Sequence, residues 1–276
     1  EELKRRFPLE PLRDIMLFLL EHAPLERWER QVLGIIRDEA YYFTPQRMTK
    51  IMNEGWASYW HSTMMTNDIC EDADIVDFAC THSGTMAMSP TQINPYKIGI
   101  ELYRDIEERW NRGCFGREYE RCDNMAEKAA WDKKLGLGRE KIFQVRKIYN
   151  DVMFIDEFLT PEFCERQRLF TFGYERRKDA WEIKSREFAP IKDQLLSQLT
   201  NFGQPVIFVE DANYKNRGEL LLWHKHEGQD LKADYARDTL SNLVKLWKRP
   251  VHIRTLTEEK TLIWSHDGET FEESQS

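Results

Sequence analysis

The stretch that most constrains the fold is residues 44–65, with the sequence TPQRMTKIMNEGWASYWHSTMM. Thr44 can cap a helix and Pro45 suits the first helical turn, so the pattern predicts a helix that begins there. Apolar and aromatic residues cover most of its circumference, which is typical of a helix buried in a protein core. The sequence therefore predicts a helical core built around this segment.

Two polar side chains interrupt the apolar surface of this helix. Glu54 and His61 are seven positions apart, which places them on one face, roughly 10 Å apart along the axis. A buried carboxylate and a buried imidazole each need a partner. A metal ion, a basic side chain or a hydrogen bond would each serve, and the sequence leaves all three open.

A metal site would need at least one further ligand, because zinc usually takes three protein groups and keeps one position open when it is catalytic. Glu39 lies near the end of the preceding predicted helix, and His82 lies at the end of the following one. Ligands placed in this way between helices predict a divalent ion, either zinc, iron or manganese. The alternative is structural, with the carboxylate paired to Lys or Arg and the histidine hydrogen-bonded in the core.

A second candidate metal site is the pair His224 and His226, in the predicted strand ELLLWHKHEG at residues 219–228. Positions i and i+2 of a strand share a face, so both imidazole rings can bind one ion. In the alternative interpretation, Leu221 and Trp223 point inward and the two histidines face solvent or a partner surface.

Composition and motifs argue against several classes of protein. The net charge of −8 and the pI near 5.5 disfavour broad attraction to nucleic acid or to anionic membranes. No apolar run approaches the ~18 residues of a membrane span. The five cysteines are odd in number and never spaced CxxC, which predicts reduced cysteines in a cytoplasmic protein.

The motifs HExxH, GxGxxG and GxSxG and the P-loop are missing from the sequence. No serine has an evident His/Asp partner, so nothing in the sequence supports a hydrolytic triad.

The periodicity of the chain changes near residue 151. Helical patterns recur before that point. After it come an alternating hairpin at 169–185, strands at 205–211 and 219–228, a helix at 231–247, and a strand pair at 250–254 and 260–265. These patterns predict the α+β class. The predicted division is a helical domain at 1–136 around the helix 45–65, and a mixed α/β domain at 137–276, with its boundary at the LGLG string of residues 135–138.

Longer strings carry a resemblance to a known family. They are KIMNEGWASYWHSTMM (50–65), SPTQINPYKIGIELYRDIEERW (89–110), WDKKLGLGREKIFQVRKIYNDVMFIDEFLTPEFC (131–164), LTNFGQPVIFVEDANYKNRGELLLWHKHEG (199–228) and YARDTLSNLVKLWKRPVHI (235–253). Together they closely resemble the stage V sporulation protein R (SpoVR-like) family over nearly the whole chain. The resemblance implies a cytoplasmic bacterial or archaeal protein, tied to spore cortex assembly in spore formers. It also implies serine-kinase-like and von Willebrand-A-like partners linked to stress.

The resemblance also bears on the predicted metal site. Family members usually carry a further N-terminal region with closely spaced histidines, and this chain, which lacks an initiating Met, is expected to be cut from a longer one. The string Glu-Gly-Trp-Ala resembles a ligand-bearing helix of some zinc peptidases, which would make Glu54 a ligand and His61 a further candidate. The sharper functional hypothesis is a metal-dependent hydrolase of peptide or peptidoglycan-related bonds, with Glu39 or Glu54 as general base if it is not itself a ligand. The competing hypothesis is a non-enzymatic scaffold that acts with the two partners.

Overall fold

The computed structural model describes residues 6–89, 92–175, 177–257 and 259–275. The chain folds into two compact units. The sheet unit comprises residues 6–44 and 203–275, and the helical unit comprises residues 45–202, within the ranges described. Helices dominate the N-terminal part and a mixed sheet forms the C-terminal part, so the predicted α+β class is confirmed.

The helices and strands follow one another along the chain with short connections. They are α1 (Ile15–His22), α2 (Arg27–Met48), α3 (Lys50–Met64) with a π-helical turn at Met65–Ile69, α4 (Ile75–Thr85), α5 (Pro95–Arg112), α6 (Gly116–Glu120), α7 (Met125–Ala129), α8 (Gly138–Ile148), α9 (Asp151–Phe158), α10 (Pro161–Arg166), β1 (Thr171–Glu175), β2 (Ala180–Ser185), α11 (Phe188–Leu199), β3 (Val206–Tyr214), β4 (Glu219–Lys225), α12 (Ala233–Trp247), β5 (Val251–Thr257), β6 (Lys260–His266) and β7 (Phe271–Gln275).

The central helix begins later than the sequence predicts. Thr44 and Pro45 lie inside α2, so the predicted start at these residues is wrong. The Thr44 hydroxyl donates to the carbonyl oxygen of Ala40 at 2.7 Å instead of capping a new helix. α2 ends at Met48, Thr49 is not helical, and α3 starts at Lys50. The cap of α3 comes from a distant residue in the sequence, which a local pattern cannot reveal.

In the helical unit, α3 packs closely on α5. Gly55 and Gly99 meet at the crossing, where a Cβ on either residue would clash with the backbone of the other helix. The missing side chains let the two backbones touch. Large apolar residues from α3, α5, α8, α9, α10 and α11 complete the core of this unit, among them Met52, Ile100, Leu102, Tyr103, Ile142, Phe154, Phe158, Phe163 and Ile191.

Only one side of α3 is buried, so the prediction of a helix that is buried nearly all round is wrong. Ile51, Met52 and Tyr59 lie in the core. Ala57 and His61 are exposed. The buried side of α3 packs against α5 and α9. The other side, which includes Ala57 and His61, is left at the surface.

The described part of the sheet unit forms a five-stranded sheet in the order β3-β4-β5-β6-β7. Neighbouring strands are antiparallel except β4 and β5, which are parallel and are connected through α12, as a parallel pair requires. One face of the sheet packs against α1 and α12 around Phe18, Leu19, Val209, Leu222, Leu240, Ile253 and Trp264. The opposite face carries polar and aromatic side chains, among them Trp223, His252 and Arg254.

The units divide the chain at residues 44/45 and 202/203, whereas the sequence places a domain boundary at 136/137. Compactness alone does not test which segments fold independently. The division into domains 1–136 and 137–276 therefore stays a prediction.

Candidate functional site

The predicted metal ligands of the helical unit lie on α3 and α4. Glu54 is half-buried and hydrogen-bonded to the hydroxyl of Tyr96. His61 is exposed near the end of α3, and its ring meets the ring of Phe78 at a steep angle, with centroids 5.6 Å apart. His82 stacks on the same phenyl ring, with centroids 5.5 Å apart. The two imidazoles therefore share Phe78 as a neighbour, while Glu54 is engaged by a phenol.

Charge and burial shift the pKa values of two groups here, His82 and Tyr96. Burial lowers the pKa of His82, and its electrostatic interactions with Arg104 and His61 lower it further. The charge of Glu54, followed by its hydrogen bond, raises the pKa of Tyr96. His82 is therefore held in its neutral form near pH 7, which is the form that a metal ion would bind.

These side chains do not complete a metal site by themselves. Glu39 is an exposed residue of α2, in the sheet unit. Within the described ranges, no group of three or more His, Cys, Asp or Glu side chains is arranged to hold a metal ion. The residues described thus do not fit a zinc, iron or manganese centre, which needs at least three protein ligands in the usual zinc case. Metal binding by Glu39, Glu54, His61 and His82 stays a prediction.

The second candidate pair lies at the end of β4. His224 is buried and its Nδ1 is 2.9 Å from the hydroxyl of Thr255. His226 is half-buried, with Nε2 2.8 Å from Asp230. The alternative in which His224 faces solvent is wrong, because alternation along β4 places it on the same face as Leu222, against the core. Burial lowers the pKa of His224. The two histidines have separate hydrogen-bond partners, and their metal-binding role stays a prediction.

A cleft of about 360 Å³ opens in the helical unit. Apolar side chains of α5, α11 and the segment after α10 line its walls, and amide and guanidinium groups are set among them. The lining residues are Met88, Ser89, Gln92, Ile93, Ile98, Gln167, Arg168, Leu169, Phe170, Phe172, Ile191, Gln194, Leu195 and Gln198. Its volume falls in the range of small-ligand sites, and its mixture of apolar walls and a few polar groups is typical of them.

Hydrogen bonds and an ion pair connect the cleft to Ser62, a buried residue of α3. Gln167 donates from Nε2 to Glu101 at 3.0 Å. Glu101 forms an ion pair with Arg104 at 3.2 Å, and Arg104 donates to the hydroxyl of Ser62 at 3.0 Å. The orientation of the Gln167 amide at the cleft is therefore fixed by a chain of polar contacts rather than left free.

Sequence reasoning missed a polar series on the sheet unit. The hydroxyl of Ser265 on β6 lies 2.8 Å from Nδ1 of His252 on β5. Nε2 of His252 lies 3.0 Å from Oε2 of Glu219 on β4. Glu219 in turn forms an ion pair with Arg217 at 2.8 Å. We call Ser265, His252 and Glu219 the sheet triad.

The register of the strands creates this triad. His252 pairs directly with Ser265 across the antiparallel strands β5 and β6, which brings their side chains together on one face. Leu221 is the parallel partner of His252, and Glu219, two residues earlier, projects from the same face. The predicted strand pair 250–254 with 260–265 contained this signal. The contact between His252 and Ser265 can be predicted from these strands only when their pairing register is known.

These observations define an α+β protein with a ligand-sized cleft in a helical unit and a polar triad on a mixed sheet. The family described as SpoVR like protein matches residues 1–204, and the SpoVR-like C-terminal domain matches residues 205–258. The chain belongs to the SpoVR-like family.

One curated relative is a protein of Escherichia coli (strain K12) described as uncharacterized protein YcgB. It is 26% identical over 276 residues, and the match covers 94% of this chain and 52% of the relative. The chain thus spans about half the length of the curated relative that it matches. No solved structure matches the chain. Within the described ranges, every helix is too short or too polar to cross a bilayer.

Proposed function

We propose that this chain is the ligand-binding module of a SpoVR-family protein, and that its cleft takes a short peptide with a free carboxylate. The observation that carries the proposal is the presence of one exposed guanidinium, that of Arg168, at an apolar cleft lined by several carboxamides. Each of these three kinds of group selects a different part of such a ligand.

Arg168 is the group that would select the carboxylate. Its guanidinium has no carboxylate partner among the described residues. Arg168 also has a φ of 53°, a left-handed conformation that a side chain disfavours and that sets the direction in which the chain leaves α10. An unpaired planar cation is suited to binding a carboxylate through two parallel hydrogen bonds.

The carboxamides of Gln194 and Gln198 would select the peptide groups. Both project from α11, four positions apart and hence on one face of the helix. Both are exposed and have no hydrogen-bond partner in the described part of the chain. A carboxamide offers a donor and an acceptor together, which matches the N–H and C=O of a peptide bond.

Apolar residues supply the remaining surface. Leu169, Ile191 and Leu195 are buried at the cleft, and Phe172 is half-buried beside them. Burial of an apolar side chain of the peptide here would stabilise the complex by roughly 25 cal/mol for each Å² removed from water. The cleft therefore favours a peptide with an apolar residue close to its carboxyl end.

We propose that this binding serves a role in sporulation, including spore cortex formation, or in the stationary-phase stress response. In this proposal the protein is a cytoplasmic scaffold, and its serine-kinase-like and von Willebrand-A-like partners or short cell-wall peptides supply the bound segment. The engagement of His61 and His82 by Phe78, and of Glu54 by Tyr96, supports a scaffold over a metal-dependent hydrolase built from this chain alone.

Calorimetric titration tests the proposal. The probe is the tetrapeptide acetyl-Gln-Ala-Phe-Leu with a free carboxylate, and its comparison is the same peptide with a C-terminal amide. We expect at least a tenfold weaker Kd for the amide, because a charge-assisted hydrogen bond contributes about 1.5–3 kcal/mol. Arg168→Gln should weaken the acid peptide equally and remove the difference between the two peptides.

Arg121→Gln is the matched control, since Arg121 is an exposed arginine of the same unit that does not line the cleft. It should leave both Kd values unchanged. Equal affinity for the acid and the amide, or no heat of binding at millimolar peptide, would contradict the proposal.

A further inference from the structure

The sheet triad has the order of contacts that activates a serine hydroxyl. The ring of His252 lies between Ser265 and Glu219, with one nitrogen toward each. A carboxylate paired with Arg217 accepts hydrogen bonds and donates none, so Nε2 of His252 carries the ring proton. Nδ1 is then left with its lone pair toward the serine hydroxyl, which donates to it.

We propose that Ser265 is a nucleophile, with His252 as its general base and Glu219 as the group that orients and stabilises the imidazolium, and that the site acts on carboxylic esters. This activity is separate from peptide binding in the cleft of the helical unit. It assigns a catalytic role to a region in which the sequence motifs show none, because the three residues come from three different strands.

Glu219 and His252 are more deeply buried than Ser265, as expected for a serine nucleophile with a shielded base. Glu219 and His252 are 6% exposed, so their hydrogen bond is shielded from water. Ser265 is half-buried and is the most exposed member of the triad. A shielded imidazole and carboxylate interact more strongly than they would in water.

The groups around the imidazole keep it available as a base. They are Glu219 on β4, Tyr214 on β3 with its ring centroid 5.0 Å from that of His252, and Lys215 and Arg217 in the turn between these strands. Burial lowers the pKa of His252, the two cations lower it further, and Glu219 opposes them. The net lowering leaves the ring neutral at pH 7.

The reaction balances with water as the only co-reactant. The Ser265 oxygen bonds to the carbonyl carbon of the ester as its proton passes to Nδ1 of His252, and the carbon–oxygen bond to the alcohol breaks as His252 returns that proton to the leaving alkoxide. Water then attacks the acyl-serine and gives a proton to His252. The carboxylic acid leaves and the proton returns to Ser265.

Labelling with a fluorophosphonate ester tests the nucleophile directly. The serine oxygen bonds to phosphorus, fluoride leaves, and the serine proton passes to His252 and then to solvent. With the full chain at pH 7.5, we expect one label per chain, located at Ser265 by mass spectrometry of the peptides. The labelling rate should rise with pH as His252 loses its proton, with a midpoint below 6.5, the ordinary value for histidine.

Ser265→Ala should abolish the label, and His252→Gln should slow labelling by about 10²-fold or more. Ser274→Ala is the matched control, because Ser274 lies on the neighbouring strand β7 and donates to a backbone carbonyl. It should label at the full rate. If His252→Gln does not fold, the pH profile of the unaltered chain still tests the base. Absence of labelling, or labelling that persists in Ser265→Ala or does not change between pH 5 and 8, would overturn the proposal.

Discussion

The carboxylate of Asp151 accepts hydrogen bonds from the backbone N–H groups of Ile51 and Met52, at 2.8 and 2.9 Å. These two donors belong to the first turn of α3 and have no partner within the helix. Asp151 is itself 2% exposed and begins α9. One side chain thus caps α3 and holds α9 against it.

Removal of this cap should destabilise the helical unit more than loss of an ordinary surface cap. Asp151→Ala leaves two buried N–H groups without an acceptor, so we expect a loss of about 2–4 kcal/mol in the free energy of unfolding. Asp151→Asn keeps one oxygen acceptor and should lose less than half as much. Urea denaturation followed by tryptophan fluorescence measures both. Equal losses for the two variants would show that packing, rather than capping, holds the helices together.

The same carboxylate predicts a pH dependence of stability. Burial raises the pKa of Asp151 to about 6 from an ordinary value of 3.8, although backbone N–H groups oppose the rise. The folded chain therefore binds a proton more readily than the unfolded chain between these values. The proton bound by Asp151 contributes stability that is fully present below pH 4 and is lost as the pH rises through 6, by about 3 kcal/mol in all.

Comparison with Asp151→Asn isolates this effect, because the amide does not titrate. The difference in free energy of unfolding between the unaltered chain and the variant should change by about 1–3 kcal/mol between pH 4.5 and pH 7, in favour of the unaltered chain at the lower pH. A difference that stays constant across this range, or that changes in the opposite direction, would contradict the raised pKa.

The crossing of α3 and α5 gives a sharp steric prediction. In Gly99→Ala the new methyl group would clash with the backbone of Gly55 and with the carbonyl oxygen of Ile51. Because backbone atoms cannot move aside as a side chain can, we expect a loss of about 3 kcal/mol or more in the free energy of unfolding.

Gly84→Ala is the matched control for this crossing. Gly84 also lies in a helix, α4, but a Cβ there meets nothing within 4 Å. The change should leave the free energy of unfolding unaltered or raise it by up to about 1 kcal/mol through helix propensity. Thermal unfolding of both variants, followed by circular dichroism, provides the measurement. If Gly99→Ala and Gly84→Ala unfold at the same temperature, α3 and α5 are not in the close contact described.

The sequence predicted those features that depend on nearby residues. The hairpin β1–β2 and the strands β4, β5 and β6 are confirmed, since alternation of apolar and polar residues is a local signal. The start of α3 was predicted wrongly for the opposite reason. The first N–H groups of α3 donate to Asp151, which lies one hundred positions away from Ile51. Thr44 and Pro45 match the local pattern of a helix start but lie inside α2.

The candidate sites show the same limit. Glu54 and His61 could be placed on one helix face from spacing alone, but their neighbours Tyr96 and Phe78 come from other helices. His252 and Ser265 were each placed on a strand by the pattern. Their contact depended on the register between the strands, which a one-residue slip would abolish by turning Ser265 to the other face. Tertiary pairing, not residue type, decides which polar groups meet.

Arg168 allows backbone strain and ligand binding to be separated. Its φ of 53° is disfavoured for a residue with a side chain, so Arg168→Gly should raise the free energy of unfolding by about 1 kcal/mol. The same change removes the guanidinium and should weaken the acid tetrapeptide at least tenfold. Stability and affinity would thus move in opposite directions in one variant.

Lys134→Gly is the control that makes this prediction decisive. Lys134 has a φ of 52°, lies in the same unit and does not line the cleft. It should gain the same stability, because the same strain is relieved, while its Kd for the peptide stays unchanged. Chemical denaturation and calorimetric titration of the two glycine variants give the four values required. A fall in affinity for both variants would assign the effect to a loosened backbone in the helical unit and would remove Arg168 as the carboxylate-binding group.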